Sequence, residues 1–340
     1  MGGGETHPYR TYRGARMRVL VTGGAGFIGS NLVRELARRG EDVTVLDDLS
    51  TGSAGNLTGL PDTVRVETGD VRDAGVVRSA AQRAEVLYHL AAVPSVARSV
   101  IDPITTHRVN VDGTLTVLEG ARSAGVRRVV YASSSSVYGD TPVLPKDEGM
   151  PPAPMSPYAA SKLAGEAYCL AYGHVFGVQT VSLRFFNVFG PRQDPASEYA
   201  AVVPRFITRM LAGERPEVFG DGRQSRDFTF VGNVVQACVL AATAPEASGH
   251  VVNVGCGEST SLVELVDIIN DLLGTSVEPT FSAPRPGDVR HSQASISRAR
   301  DLLGYRPAMS VREGLAETVR WFSELQGGRR DARTASGLST

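Results

Sequence analysis

Tyr158 and Lys162 stand four residues apart in the stretch SPYAASKLAGEAY. On a helix that spacing puts both side chains on one face. A free tyrosine titrates near pH ~10 and is a weak base at neutral pH. A neighbouring ammonium favours the phenolate and lowers that value, so the pair makes a tunable acid–base unit. A second stretch, ASSSSVYGD, closes the apolar run VRRVVYA with four consecutive hydroxyls, Ser133, Ser134, Ser135 and Ser136. A third, VLVTGGAGFIGS, spaces Gly23, Gly26 and Gly29 three apart. In a strand-to-helix turn, the first glycine permits the tight turn and the second lets the backbone approach a pyrophosphate. The third lets the helix pack on the strand, and the helix N-terminus faces the phosphates.

Asp47 ends the next apolar run, DVTVLDD. A carboxylate about 20 residues beyond the glycines accepts hydrogen bonds from the adenosine ribose and repels a 2′-phosphate, which favours NAD over NADP. Asp70, ending VETGD, is a second strand-end acid with the reach to meet the adenine amino group.

These residues need a scaffold that brings them together. RVLVTGG, DVTVLDD, VRVETGD, AEVLYHLAA, RRVVYASS and QTVSLRFFNVFG read as strands. Between them lie helical patterns, among them FIGSNLVRELARRG ending at Gly40, Asn110–Ala124 and Pro157–Phe176. β-branched runs separated by helices predict an α/β fold, a Rossmann-type doubly wound parallel sheet. After Asn187 the pattern changes. Helices around Val203–Ala212 and Leu262–Leu273 mix with short strands and Pro- or Gly-rich turns, a smaller mixed α/β substrate-binding region toward the C-terminus. The expected boundaries are a disordered extension over 1–16, an NAD-binding domain over 17–187, a mainly substrate-binding region over 188–325 with part returning to the sheet, and a disordered tail over 326–340.

The 340 residues are 42% hydrophobic and 21% charged, with a formal net charge of −1. This is an ordinary globular balance, and it disfavours nucleic acid or a membrane surface as the main partner, since each needs a basic face. No run approaches the ~18 apolar residues that span a bilayer, and the first sixteen residues lack the apolar centre of a signal peptide. Cys169, Cys238 and Cys256 are odd in number, widely spaced and without a CxxC. They read as reduced, buried thiols of a cytoplasmic protein, with no metal site.

Taken together, GxxGxxG, HLAA, SSSSVYG, SPYAASK, RFFNVFG, GDGRQSRDF and RPGDVRHSQA resemble the motifs of the extended short-chain dehydrogenase/reductase family, over about Met17 to Phe322. The chain is most similar to the nucleotide-sugar 4-epimerases, and within those to the UDP-N-acetylglucosamine 4-epimerases. The resemblance implies a bound NAD that takes a hydride from C4 of a UDP-hexose and returns it to the other face of a 4-keto intermediate. Tyr158 would be the base, and Lys162 would hold the nicotinamide ribose and depress the tyrosine pKa. Ser134, four residues before the tyrosine of VYG, would bridge the sugar O4 and Tyr158. The same resemblance sets the cofactor against Gly23, Gly26, Phe27, Ile28, Gly29, Asp47, Asp48, Asp70, Val71, Leu90, Ala91, Ala92, Asn110, Tyr158, Lys162 and Phe185. It also implies a homodimer through Asn110–Ala124 and Pro157–Phe176.

Ser135 and Ser136 stand where sugar 4,6-dehydratases carry the Asp–Glu pair of TDEVYG and UDP-glucuronate decarboxylases the glutamate of SEVYG. Elimination needs an acid and a base beyond Tyr158, so the serines disfavour both reactions. For the substrate, the resemblance assigns Ser134, Ser135, Ser136 and Phe186 to the sugar end and Asn187 to the sugar pyrophosphate. Val202 and Phe219 become walls of a uridine pocket. Arg226 and Arg285 become pyrophosphate ligands, a role suited to planar guanidinium forks. Asn187 replaces the threonine of glucuronate epimerases. Ser292, seven residues after Arg285, takes the position of a gatekeeper beside the hexose C2 group, where a small residue admits UDP-GlcNAc and UDP-GalNAc beside UDP-Glc and UDP-Gal. The alternatives are a 4-epimerase of a UDP-uronic acid or other modified UDP-sugar, and a dinucleotide sensor without catalysis.

Overall fold

The apolar runs of the first half are short and β-branched, and most are separated by helices that can cross back over the sheet, so they pair in parallel. The computed structural model describes residues 16–195, 201–284 and 289–335, with side chains through residue 326. Strands β1 (Arg18–Thr22), β2 (Asp42–Asp47), β3 (Val64–Thr68), β4 (Val86–His89), β5 (Arg128–Ser134) and β6 (Gln179–Phe185) lie in the order 3-2-1-4-5-6, all parallel. This is the doubly wound Rossmann arrangement, whose binding crevice lies beyond the carboxyl ends of the strands. Helices α1 (Phe27–Arg38), α2 (Ala74–Ala81), α3 (Val96–Ile101), α4 (Pro103–His107), α5 (Gly113–Ala124) and α6 (Pro157–Phe176) lie between them in the chain.

The second half runs β7 (Val188–Phe189), α7 (Val202–Leu211), β8 (Glu217–Phe219), β9 (Ser225–Arg226), β10 (Thr229–Phe230), α8 (Val231–Thr243), β11 (His250–Val254), β12 (Thr260–Ser261), α9 (Leu262–Leu273), β13 (Thr280–Ser282), α10 (Ser297–Leu303) and α11 (Val311–Ala335). β11 joins the central sheet beside β6, also in parallel, with Val252 opposite Leu183. The remaining strands pair off as β10 with β7, β12 with β9 and β13 with β8. The sheet carries a core on each face, one shared with α1, α8 and α10, the other with α2, α5 and α6. A third core, built on Phe206, Phe230, Leu265 and Leu315, joins α7, α9 and α11. Among the described residues no helix is long and apolar enough to cross a membrane. Cys169 and Cys238 are buried, Cys256 is half-buried, and all three are free thiols.

Two expectations shift. The helix expected from Asn110 begins as a π-helical turn over Arg108–Asp112 and becomes α-helical at Gly113. Single π-helical turns inside α-helices recur at functional sites. The last helix continues to Ala335, past the residue 326 at which a tail was expected to begin.

Close approaches fix the layers. Gly23 has φ +72°, and a Cβ there would stand 2.5 Å from the Ala91 nitrogen, while a Cβ on Gly29 would meet the Gly23 carbonyl oxygen at 2.0 Å. The third glycine thus packs against the first rather than against the strand. Helix α6 lies equally close to β5, since a Cβ on Gly165 would stand 2.1 Å from the Tyr131 hydroxyl oxygen. Gly165→Ala should lower stability by about 1–3 kcal/mol through overpacking, read as a fall in the urea midpoint with an unchanged m-value.

Candidate functional site

The carboxyl ends of the strands open into a cavity of about 1260 Å³. On one side stands the start of α1. Gly26 caps this helix with extended backbone, no side chain takes the cap position, and the first turn carries no acid. An uncapped helix N-terminus presents amide donors and positive potential to an anion. Asp47 closes β2 with its carboxylate fixed at both ends, Oδ2 accepting from the Ala25 N–H and Oδ1 from the Leu49 N–H, each at 2.9 Å. Lone pairs remain for a ribose diol. The uncapped helix, the glycine at the closest approach and the held carboxylate fit a dinucleotide. Of the cofactor residues expected, Gly23, Gly26, Phe27, Ile28, Gly29, Asp47, Asp48, Val71, Leu90, Ala91, Ala92, Tyr158, Lys162 and Phe185 all line this cavity.

Two do not. Asp70 turns away into an ion pair with Arg72, which holds its carboxyl below the usual range through that hydrogen bond. Asn110 is buried under the wall, where its Oδ1 accepts from the Val93 N–H at 2.8 Å and its Nδ2 donates to Ser161 Oγ at 3.0 Å. It shapes the loop after β4 without reaching the cavity. Ser50, Thr51, Gly52, Ser53 and Asn56, not among the expected cofactor residues, line the wall beyond Asp47. A polar, turn-forming run straight after a strand-end acid is the signal that points to them. Trp321 and Gln326, from α11, also reach the cavity, and no local pattern marks them.

The acid–base group sits where β5 meets α6. Tyr158 and Lys162 both line the cavity wall, and the Ser134 hydroxyl stands near enough to Tyr158 to act on its titration. Burial raises the Tyr158 pKa, and the Ser134 hydroxyl partly offsets that rise. Lys162 is 4% exposed and donates from Nζ to the Ala132 carbonyl at 2.8 Å. That ammonium lies 6.0 Å from the Tyr158 ring centroid. It is committed to the strand carbonyl, so the expected depression of the tyrosine pKa by Lys162 is not found in this geometry. Burial lowers the Lys162 pKa to about 8, opposed by Glu166 one turn further on. His89, of the HLAA motif, is a satisfied core residue. Its Nδ1 meets Thr22 Oγ1 at 2.8 Å and its Nε2 meets Thr114 Oγ1 at 2.9 Å, and burial pushes its pKa down to about 3.

The four serines have separate fates. Ser133 is 3% exposed and donates to Glu166, while Ser134 meets Tyr158. Ser135 and Ser136 lie in a short 3₁₀ turn over Ser135–Tyr138, which Ser134 caps by accepting from the Ser136 N–H at 3.2 Å. None of the expected substrate residues among the described ones lies in the cavity wall itself. Phe186 is a correction: fully buried, it packs on Tyr138, Ala294 and Ile296 as part of a small core. Asn187 is exposed at φ +24°. Val202 and Phe219 are half-buried. Arg226 donates to the Ser225 and Arg290 carbonyls at 2.9 and 3.1 Å. The Ser292 N–H donates to the Ser225 carbonyl at 3.0 Å, which sets Ser292 beside β9. Asp227 locks this region, accepting backbone N–H bonds from Cys256, Gly257 and Ala294 at 2.7, 2.9 and 3.1 Å. Arg285 lies outside the described residues.

Lys146 and Lys162 are the only lysines in the chain, which isolates their titration. In lysine-¹⁵N-labelled protein, one ammonium signal should titrate near pH 8 and vanish in Lys162→Met, since burial disfavours the charged form and the charge is complete only below that pH. A midpoint at the ordinary value near ~10.4 would contradict the geometry.

Comparison with known proteins gives the same placement. The model of the NAD dependent epimerase/dehydratase family matches residues 19–255. A UDP-glucose 4-epimerase of Mycolicibacterium smegmatis is 46% identical over 310 residues, covering 90% of this chain and 98% of the relative. A solved UDP-N-acetylglucosamine 4-epimerase from Methanobrevibacter ruminantium, in complex with UDP-N-acetylmuramic acid, has a TM-score of 0.88 at 38% identity over 91% of this chain and 99% of its own. A UDP-glucose 4-epimerase from Thermotoga maritima, solved with UDP-glucose, has a TM-score of 0.87 at 37% identity over 91% and 100%. The matched span runs from within β1 to just past β11, the whole of the central sheet, and the chain belongs to the NAD dependent epimerase/dehydratase family.

Proposed function

We propose that this chain inverts C4 of a UDP-hexose, with UDP-GlcNAc and UDP-GalNAc as the favoured pair and UDP-Glc and UDP-Gal accepted beside them. The observation that carries the reading is Tyr158 and Lys162 side by side in the cavity wall, with Ser134 near Tyr158 at the end of β5 and no carboxylate at positions 135 and 136. NAD, when bound, accepts the C4 hydride and gives it back. The residues manage the proton. Tyr158 takes the O4 proton through the Ser134 hydroxyl as the hydride leaves C4, and returns it by the same path when the hydride re-enters the opposite face. Burial makes the Tyr158 phenolate a stronger base but a scarcer one. Lys162, fixed on Ala132, presents its ammonium at the cofactor side of the same face. Two serines in place of the acid pair leave no group to expel water from C5 and C6, which supports inversion over dehydration. Ser292 as a small gatekeeper supports room for a 2-acetamido group.

Incubation with UDP-Glc, UDP-GlcNAc and UDP-GlcA separately, without added NAD, should give C4-inverted product from UDP-GlcNAc by NMR. Inversion of UDP-GlcA alone would favour the uronate reading, and a 4-keto-6-deoxy product would overturn inversion altogether. Ser292→Tyr should cost at least about a hundredfold in kcat/KM for the N-acetylated sugars by steric exclusion while UDP-Gal turnover stays within about threefold.

The same reading includes a homodimer through α6. Tyr168, Ala171 and Val175 are exposed at i, i+3 and i+7, with Val175 at 66%. An apolar stripe of this kind suits a helix–helix contact. Light scattering should give twice the chain mass, and Tyr168→Glu with Val175→Glu should give the monomer mass.

A further inference from the structure

Three consecutive residues at the end of β5 each hold a successive turn of α6. Ser134 stands near Tyr158, the Ala132 carbonyl accepts from Lys162 at 2.8 Å, and the Ser133 hydroxyl donates to Glu166 Oε1. Tyr158, Lys162 and Glu166 recur every four residues, so one helix face meets the strand end. The proposed function uses the first contact for the proton and the second at the cofactor side, and leaves the third without a role. Glu166 is 2% exposed and makes a two-point ion pair with Arg184, Nε to Oε1 at 2.8 Å and Nη2 to Oε2 at 2.7 Å. Arg184 comes from β6, opposite Ser133 in the sheet register, and its guanidinium lies 4.6 Å from the Tyr138 ring centroid. A buried ion pair adds little stability over apolar packing of the same volume. What this one provides is a fixed distance between β5, β6 and α6.

We propose that Ser133, Glu166 and Arg184 are positioning residues: they lock the end of β5 onto α6 at the register where Ser134 meets Tyr158, and Glu166 supplies the countercharge for the buried Lys162 ammonium one turn away. The kinetic consequence rests on the epimerase reading, whereas the electrostatic consequence does not. The titratable groups that face Lys162 are Tyr158, Glu166 and Cys169 from its own helix, Tyr131 from β5 with its ring centroid at 5.2 Å, and His89 from β4. Burial keeps the two phenols and the thiol protonated and His89 neutral at neutral pH. Glu166 is therefore the carboxylate acting on Lys162.

The test uses lysine-¹⁵N-labelled full-length protein as purified. Glu166→Gln keeps the volume and a hydrogen-bond acceptor for Ser133 but removes the charge. The Lys162 midpoint should fall by about one pH unit, as for any buried ammonium that loses its counterion. The kcat should fall by roughly ten- to a hundredfold, the scale of a small misplacement of reacting groups, with KM within about twofold. The basic limb of the pH–rate profile should follow the lysine downward. Ser133→Ala should lower kcat while leaving the Lys162 midpoint in place. If Glu166→Gln strands Arg184 and fails to fold, Glu166→Gln combined with Arg184→Met removes both charges and should show the same lysine shift. A folded charge-removed variant with the wild-type Lys162 midpoint overturns the countercharge, and wild-type kcat in Ser133→Ala overturns the register. A wild-type chain inert toward every UDP-sugar sinks the epimerase reading alone, because the lysine titration still answers the electrostatic question.

Discussion

The closeness of α6 to β5 is the constraint on which the rest of the site depends. At Gly165 the helix has no room for a Cβ against the Tyr131 hydroxyl. Only at that separation can a serine hydroxyl on the strand meet a tyrosine hydroxyl on the helix, and a lysine one turn on reach a strand carbonyl. The cofactor groove is assembled by the same means. Gly23 lets the first turn lie against Ala91 of the β4 loop, and Gly29 lets α1 lie against Gly23. Missing side chains at two helix–sheet contacts set the spacing, and the reactive side chains are placed by it.

Close packing brings an electrostatic cost. Lys162 and Glu166 on α6 and Arg184 on β6 are all buried where α6 meets the sheet. Isolated, each would be expensive to remove from water. The strand end offsets this with the Ala132 carbonyl, and Glu166 faces both cations. The result is an ammonium whose charge is present at neutral pH but only by a narrow margin. Placing Lys162 on a strand carbonyl also explains why the tyrosine is not tuned by lysine in the way a simple YxxxK argument predicts. The side chains share a helix face, but the ammonium is spent elsewhere.

The second half of the chain is tied to the sheet by buried polar hubs as well as by the apolar packing of α8 and α10. Asn253, at the end of β11, accepts from the Tyr138 hydroxyl at 2.7 Å and donates to the Lys146 and Ser295 carbonyls at 2.9 and 3.3 Å. Asp227 gathers three amides from two loops beside Arg226 and Ser292, and burial lifts its pKa to about 6. The segment carrying Ser292 is thus connected through Asn253 and Tyr138 to Arg184, and through Arg184 to Glu166 on α6. Directional bonds of this kind fix loops that have too little apolar surface to pack on their own.

The sheet and its cofactor face were legible in the sequence because they rest on local rules. β-branched runs, a glycine turn and a strand-end acid each act over a few residues, and Gly23, Gly26, Asp47, Tyr158 and Lys162 all reached the cavity. Side-chain directions were less legible, whether the partner stands two residues away or far along the chain. Asp70 pairs with Arg72, Asn110 is held by Val93 and Ser161, and Phe186 packs in a core completed by Ala294 and Ile296. Ser133 looked like strand-end structure, and its partner Glu166 is 33 residues away. The chain by itself determined which residue types stand at the ends of which strands. Only the tertiary structure decided which of them meet, because contacts such as Ser133–Glu166–Arg184 are set by how closely a helix can approach a sheet, and sequence spacing carries no measure of that distance.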